Sequence, residues 1–208
     1  MAKAEKRRTQ AERSAESDRQ MFDAAIQLII ERGPERTTLT DIGISAGYSR
    51  GLAAYRYGTK DVFFAALIGH LHLSWCEELD KTVGDSQGLD TVILAVSALQ
   101  NYVKSAPDEL RAMFNLYYYS IDHHSEMTQA LDKIHSSQRR QAMQWAEEAI
   151  AQGQAHQQLS RERFAEQYCA LIFGAIYQWL VNPKKVALAE LLESCKHSLR
   201  AMLQIPSG

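Results

Sequence analysis

Three side chains able to grip a polyanion lie close together: Arg50, Arg56 and Lys60. Arginine is the commonest specific reader of guanine in the DNA major groove, because its fork matches two acceptors at once. Taken singly, such cations are ordinarily solvated surface charge; what raises these is their frame. Thr38 followed three residues later by Asp41 is a capping-box-like start. It opens a short helix over about 39–46, with Leu39, Ile42 and Ala46 on one face. Gly47 supplies the left-handed residue that a tight helix–helix corner needs. Ser49 is a good N-cap for a second helix over about 50–57. Gly43 and Ala46 leave room for that helix to cross the first. Leu52 and Tyr55 are expected to anchor it, leaving Arg50 and Arg56 to reach groove and phosphates. This is the helix-turn-helix layout.

Other chemistries find less support. His70 and His72 are two apart and fall on different sides of a helix, while His123 and His124 are adjacent; with His135 they make no convincing metal site. Cys76, Cys169 and Cys195 are odd in number, far apart and without CxxC spacing, which reads as buried free thiols in a reducing cytoplasm. No nucleophile–base pair, phosphate loop or catalytic carboxylate pair stands out. The expectation is a non-enzyme with no cofactor and no metal.

The elements that must position these residues are helices throughout. Phe22, Ile26 and Ile29 give a helical stripe over about 17–32, ended by Gly33-Pro34. Residues 1–16 are polar and lack such a stripe, so they read as a mobile arm or frayed helical extension. Their Lys3, Lys6, Arg7, Arg8 and Arg13 are able to touch phosphates, or simply to be solvated. After Thr59 a long helix is expected over about 60–82, then helices over about 90–104, 110–121, 125–151, 160–181 and 184–203. The 208 residues carry a net charge of −2, but residues 1–60 hold 11 Lys+Arg against 8 Asp+Glu while the remainder holds 12 against 17. A mildly basic head on an acidic body fits a DNA-facing N-terminus. The N-terminus shows no apolar signal-peptide core. The longest apolar stretch, 168–181, falls short of the roughly 18 residues of a membrane span.

The stretch 22–67 resembles the DNA-binding domain of the tetracycline-repressor (TetR) family. The residues that carry the resemblance are Glu31-Arg32-Gly33, Thr37-Thr38, Asp41-Ile42-Gly43, Ala46-Gly47-Tyr48-Ser49-Arg50-Gly51, Tyr55-Arg56-Tyr57 and Lys60. Three departures are visible: Ala54 stands for a usual tyrosine, Arg56-Tyr57 for histidine-phenylalanine, and Gly43 for alanine. The resemblance implies an all-α fold with an N-terminal three-helix helix-turn-helix domain (1–60) and a C-terminal helical ligand-binding and dimerisation domain (61–208). It implies that Thr38 and Thr40 face the DNA backbone and groove edge, that Ser49, Arg50, Gly51 and Leu52 open the recognition helix, that Tyr55 and Arg56 touch bases or phosphates near its end, and that Lys60 holds a phosphate.

In the body, Phe164, Tyr168, Leu171, Ala175 and Trp179 form one apolar face of a helix, and Ala165, Cys169, Ile172, Ile176 and Leu180 another. A helix apolar on both sides must be buried on both, either by a partner subunit or within its own core. Leu188, Leu192, Cys195, Leu199 and Met202 add a near-heptad. By the resemblance these last two helices form a homodimer interface, with Tyr168, Ile172, Ala175, Trp179, Leu188, Leu192, Cys195 and Leu199 as its expected residues. The aromatics Trp75, Tyr102, Phe114, Tyr117, Tyr118, Trp145, Phe173 and Tyr177 are either plain core or the lining of a small-molecule site with tyrosine hydroxyls as polar handles. The resulting expectation is a cytoplasmic, homodimeric repressor, released from near-palindromic double-stranded operator DNA by a small apolar or amphipathic effector, with no membrane contact. The rival is a ligand-binding helical dimer whose helix-turn-helix no longer binds DNA.

Overall fold

The computed structural model describes residues 9–121 and 125–204, and every regular element among them is a helix. Lys3, Lys6, Arg7, Arg8, His123 and His124 lie outside the described residues. Helix α1 (Gln10–Arg32) begins well before the expected Ser17. The cause is local: Thr9 Oγ1 accepts from the Glu12 amide and the Glu12 carboxylate accepts from the Thr9 amide, a closed capping box. Helix α2 (Leu39–Ser45) and helix α3 (Leu52–Tyr57) follow, separated by the corner. Helix α3 is shorter than expected. The Ser49 carbonyl accepts from the Leu52 amide at 3.1 Å, residues 50 and 51 form a turn, and Gly51 rather than Ser49 occupies the N-cap, with no side-chain cap.

Helix α4 (Lys60–Val83), capped by Thr59, joins this head to the body. Phe63 at its start lies against Phe22 of α1, with ring centroids 5.5 Å apart, and against Tyr57 of α3 at 4.8 Å. Apolar contact therefore runs without a break across the Gly58–Thr59 turn. The body continues as α5 (Gly88–Ser105), α6 (Pro107–Ser120), α7 (Glu126–Ala151), α8 (Arg161–Val181) and α9 (Leu188–Gln204). Proline in the first turn starts α6, where its missing N–H costs nothing. Helix α7 packs on α4, α5 and α8; α9 packs on α5 and α8; α6 lies against α1. Helix α9 begins at Leu188 rather than Lys184, because the amides of Lys185 and Val186 turn back onto the Asn182 carbonyl.

The near-heptad of α9 marks its inward face. Leu188, Leu192, Cys195 and Leu199 are buried within their own chain, as is Ala175 of α8, so these five belong to the subunit core rather than to an exposed dimer face. The side left open on α8 carries Ala170, Gln178 and Val181, with nothing near Gly174, and on α9 it carries Ser194 and Ala201. Trp179 is half-buried between the two sides.

Candidate nucleic-acid interface and ligand chamber

Helix α2 is held by two interlocked devices. Thr38 Oγ1 accepts from the Asp41 amide at 3.2 Å and donates to the Asp41 carboxylate at 2.6 Å, while Arg32 reaches the same carboxylate at 2.7 Å. The Thr38 hydrogen bond, joined by the Arg32 charge, holds the Asp41 carboxyl below its ordinary range. Gly43 explains the tightness of the corner. A Cβ there would stand 2.8 Å from the Ser49 carbonyl oxygen, and the Gly43 carbonyl itself accepts from the Tyr48 amide at 2.8 Å. Gly47, at φ 80°, makes the left-handed step between them.

The expected DNA-facing residues separate into two groups. Thr38, Thr40, Ser49, Arg50, Gly51 and Tyr55 are exposed. Tyr55 is not an anchor: it is 89% exposed, and the inward residue of α3 is Ala53, fully buried, with Leu52 half-buried beside it. The shortened helix turns residues 53 and 57 inward together, one helical step of four apart. Arg56 and Lys60 are engaged inside the protein. The Arg56 guanidinium donates to the Ser14 hydroxyl, the Ser14 carbonyl (3.1 Å) and the Ser17 hydroxyl (2.7 Å), and pairs with Asp18 at 2.5 Å. Tyr57 donates to the same Asp18 oxygen at 2.8 Å; burial and that carboxylate push its phenol well above the ordinary range. The Lys60 ammonium donates to the carbonyls of Pro34 and Glu35, at 3.1 Å each, and lies 5.4 Å from the Tyr119 ring centroid and 5.6 Å from that of Phe64. Both cations therefore brace the head from within. Sequence reasoning passed over Arg36, exposed in the loop before α2, and Tyr48, whose hydroxyl donates to Gln20 of α1 at 2.5 Å.

The aromatic residues of the body enclose a cavity of about 60 Å³. Six of the eight expected ligand residues line it: Trp75, Tyr102, Phe114, Tyr117, Trp145 and Phe173. Tyr118 and Tyr177 do not. Their rings pair at 5.6 Å on the outer surface between α6 and α8, each about half exposed, in a separate groove, although Tyr118 also lines the wider groove between α6 and α7. Conversely, Tyr168 and Ile172, expected at a dimer face, line the cavity because α8 turns that side toward α7. Gln138 and Gln141 of α7 also line it, and nothing in their spacing distinguishes them from the other glutamines of that helix. Tyr102 donates to Glu109 at 2.8 Å. The hydroxyl of Tyr117, the Nε2 of His135 and the amide oxygen of Gln138 are buried without a hydrogen-bond partner among the described residues. A wider groove of about 390 Å³ lies against the cavity between α6 and α7, and the two share Phe114, Tyr117 and Phe173 as a common wall.

Cys76 and Cys169 are half-buried and Cys195 is buried, all as free thiols, and burial raises the thiol pKa of each. Among the described residues no group of three His, Cys, Asp or Glu side chains is arranged to hold a metal, and no helix is long and apolar enough to cross a membrane.

The sequence profile of the bacterial regulatory proteins, tetR family, matches residues 22–67, which span the second half of α1, α2, α3 and the first part of α4. The HTH-type transcriptional repressor BepR of Brucella suis is 26% identical over 208 residues, covering 96% of this chain and 99% of BepR. The HTH-type transcriptional regulator TtgR of Pseudomonas putida is 28% identical, covering 88% of each chain. Among solved structures, SmeT, the repressor of the Stenotrophomonas maltophilia multidrug efflux pump SmeDEF, superposes with a TM-score of 0.72 at 22% identity, over 92% of this chain and 94% of SmeT. The transcriptional regulator FadR of Bacillus subtilis, in complex with stearoyl-CoA, does so with a TM-score of 0.78 at 17% identity, over 89% and 99%. With its corner at Gly43–Gly51, the stretch 22–67 matches the DNA-binding head of the bacterial regulatory proteins of the tetR family, and the chain is similar over nearly its full length to HTH-type transcriptional regulators.

Proposed function

We propose that this chain is a ligand-responsive transcriptional repressor that acts as a homodimer on near-palindromic operator DNA. The observation that carries the reading is the pairing of a fully formed helix-turn-helix with an aromatic-lined chamber in one continuous apolar core. Residues 1–60 supply the DNA-binding head and residues 61–208 the effector-binding and dimerisation body. Bases are read by Arg50 and Tyr55, with Thr38, Thr40, Ser49 and Gly51 against the backbone, while Arg56 and Lys60 hold the head in shape. Repression is supported by the names of BepR and SmeT, both called repressors. The exposed side of α8 and α9, with Val181 67% exposed, supports pairing of two subunits there. Two heads about 34–36 Å apart read half-sites one helical turn apart. Action is at the chromosome, hence in the cytoplasm, and no catalytic step is assigned.

The test is electrophoretic mobility shift with DNA from upstream of the protein's own gene, in competitor DNA, followed by selection from random duplexes. Wild type should retard a near-palindromic duplex specifically, and an Arg50→Ala/Tyr55→Ala variant with an unchanged melting temperature should not. Failure to select any duplex would overturn the reading in favour of a ligand-binding dimer without DNA affinity.

A further inference from the structure

The chamber walls carry no formal charge: their polar side-chain groups are tyrosine hydroxyls, the indole N–H groups of Trp75 and Trp145, the amides of Gln138 and Gln141, and the Cys169 thiol. Tyr102 is spent on Glu109. Tyr117 is different. It is only 9% exposed, its ring is held edge-on by His135 at 5.1 Å and by Phe173 at 6.3 Å, and its hydroxyl has no partner among the described residues. The buried amide oxygen of Gln138 shares that condition. Native proteins leave few buried polar atoms unpaired, and two in the wall of one cavity mark where a ligand's polar group belongs.

Size adds a second constraint. About 60 Å³ is too small for a ring-bearing molecule, against the 300–1,000 Å³ of typical ligand sites. The neighbouring groove of about 390 Å³ is separated only by Phe114, Tyr117 and Phe173. A guest that turns this aromatic wall joins the two spaces and brings His135, whose Nε2 is also unpaired, within the site.

Resting on the reading of this chamber as the effector site, we propose that the effector is an uncharged, flat, hydroxylated aromatic molecule: its rings lie among Trp75, Phe114 and Trp145, and its hydroxyl donates to the Gln138 amide oxygen and accepts from the Tyr117 hydroxyl. Burial holds the Tyr117 phenol protonated and the His135 imidazole neutral, and the one formal charge lining the joined space is the Asp132 carboxylate of the groove, so the site offers hydrogen bonds and no cationic partner. An anionic analogue of the same shape would enter with its charge unmatched, since no Lys or Arg lines either space.

Two of the protein's three tryptophans, Trp75 and Trp145, line the chamber, so fluorescence excited at tryptophan reports occupancy directly. The probes are 4-hydroxybiphenyl, biphenyl and biphenyl-4-carboxylate, titrated into the full chain. Saturable quenching by 4-hydroxybiphenyl is expected, with the carboxylate at least about a hundredfold weaker. Tyr117→Phe, which keeps the ring, should weaken 4-hydroxybiphenyl about three- to tenfold and leave biphenyl unchanged; Gln138→Leu should do the same. Equal affinity for the carboxylate, no saturation by 4-hydroxybiphenyl up to its solubility limit, or unchanged affinity in both variants overturns the proposal. Operator retardation measured on the same preparations separates the two readings: intact DNA binding with no phenol binding refutes this inference alone.

Discussion

Arg56 gives the sharpest test of the structure against the sequence. In the recognition helix an arginine is expected to face DNA, yet this one is only 19% exposed, and it spans from α3 to the first turns of α1 through Ser14, Ser17 and Asp18. Substituting Arg56→Ala removes a set of charge-assisted hydrogen bonds and leaves Asp18, 33% exposed, without its cation. Such bonds contribute about 1.5–3 kcal/mol net when buried, and partial exposure lowers that toward about 1–2 kcal/mol. For a chain of this size each 1 kcal/mol moves the melting temperature by roughly 2–4 °C, so a fall of about 2–8 °C is expected. The salt dependence of operator binding then decides the role. A lost phosphate contact lowers the slope of log K against log salt by about 0.9. A lost internal clamp weakens binding by loosening α3 and leaves the slope unchanged. Asp18→Asn sharpens the contrast: deleting a negative charge near DNA should help binding by simple electrostatics, whereas the clamp demands that it hurt. Thermal melts and titrations between 50 and 200 mM salt supply both readouts. An unchanged melting temperature with a slope reduced by about one would refute the clamp.

Two further perturbations follow from the same geometry. Gly43→Ala gains up to about 1 kcal/mol of helix propensity, but its Cβ would meet the Ser49 carbonyl oxygen at 2.8 Å, backbone that cannot yield without moving the start of α3; overpacking of about 1–3 kcal/mol should win, lowering both melting temperature and operator affinity, and a rise in melting temperature would show that the corner has slack. His72 and His135 both have imidazole pKa values lowered chiefly by burial, with Arg139 and their mutual repulsion adding at His135 and Asp132 opposing. Because the unfolded chain takes up these protons first, their contribution to stability is complete above about pH 6.5 and lost as pH falls through the depressed folded values; the melting temperature should drop on acidification through that window, and His135→Gln should flatten the drop, a result that an unaltered pH profile would contradict.

The head was legible because its rules are local. Thr38 and Asp41, Gly47, and the glycine breaks at 33 and 58 fix caps and turns within a few residues of themselves, and all stand where the pattern puts them. What the pattern does not carry is the partner of a side chain. Arg56 finds its carboxylate 38 residues upstream, at the start of the helix expected over 17–32, and another partner, Ser14, in the polar stretch before it, which has no apolar stripe to announce a helix. Tyr55 and Ala53 differ by two positions and so fall on opposite faces of α3, and spacing alone does not say which of them meets the core. In the body, spacing shows that α8 and α9 each have buried sides but not what buries them. Leu192 and Leu199 meet α9's own subunit, whereas Tyr168 and Ile172 meet a cavity. Aromatic residues separate the same way: Phe114 and Tyr117 turn inward, while Tyr118, one position on, faces out beside Tyr177.

The same contacts tie the chamber to the head. Helix α6 carries Phe114 and Tyr117 on the side facing the cavity, and on other sides it packs against α1, where Gln27 donates to Asp108, and sets Tyr119 edge-on to Phe64 of α4. Lys60 lies over both of those rings and holds the carbonyls of Pro34 and Glu35, the loop that leads into α2. Helix α7 makes a second tie, its Glu126 amide donating at 2.9 Å to Asp61 in the first turn of α4. The two helices that flank the aromatic wall thus both end on the segment that sets the angle of the head. Close-packed interiors shift as units rather than deform smoothly. On the proposed reading, a guest that displaces Phe114 and Tyr117 is expected to move α6 against α1 or turn α4 at Lys60, and Arg50 with it.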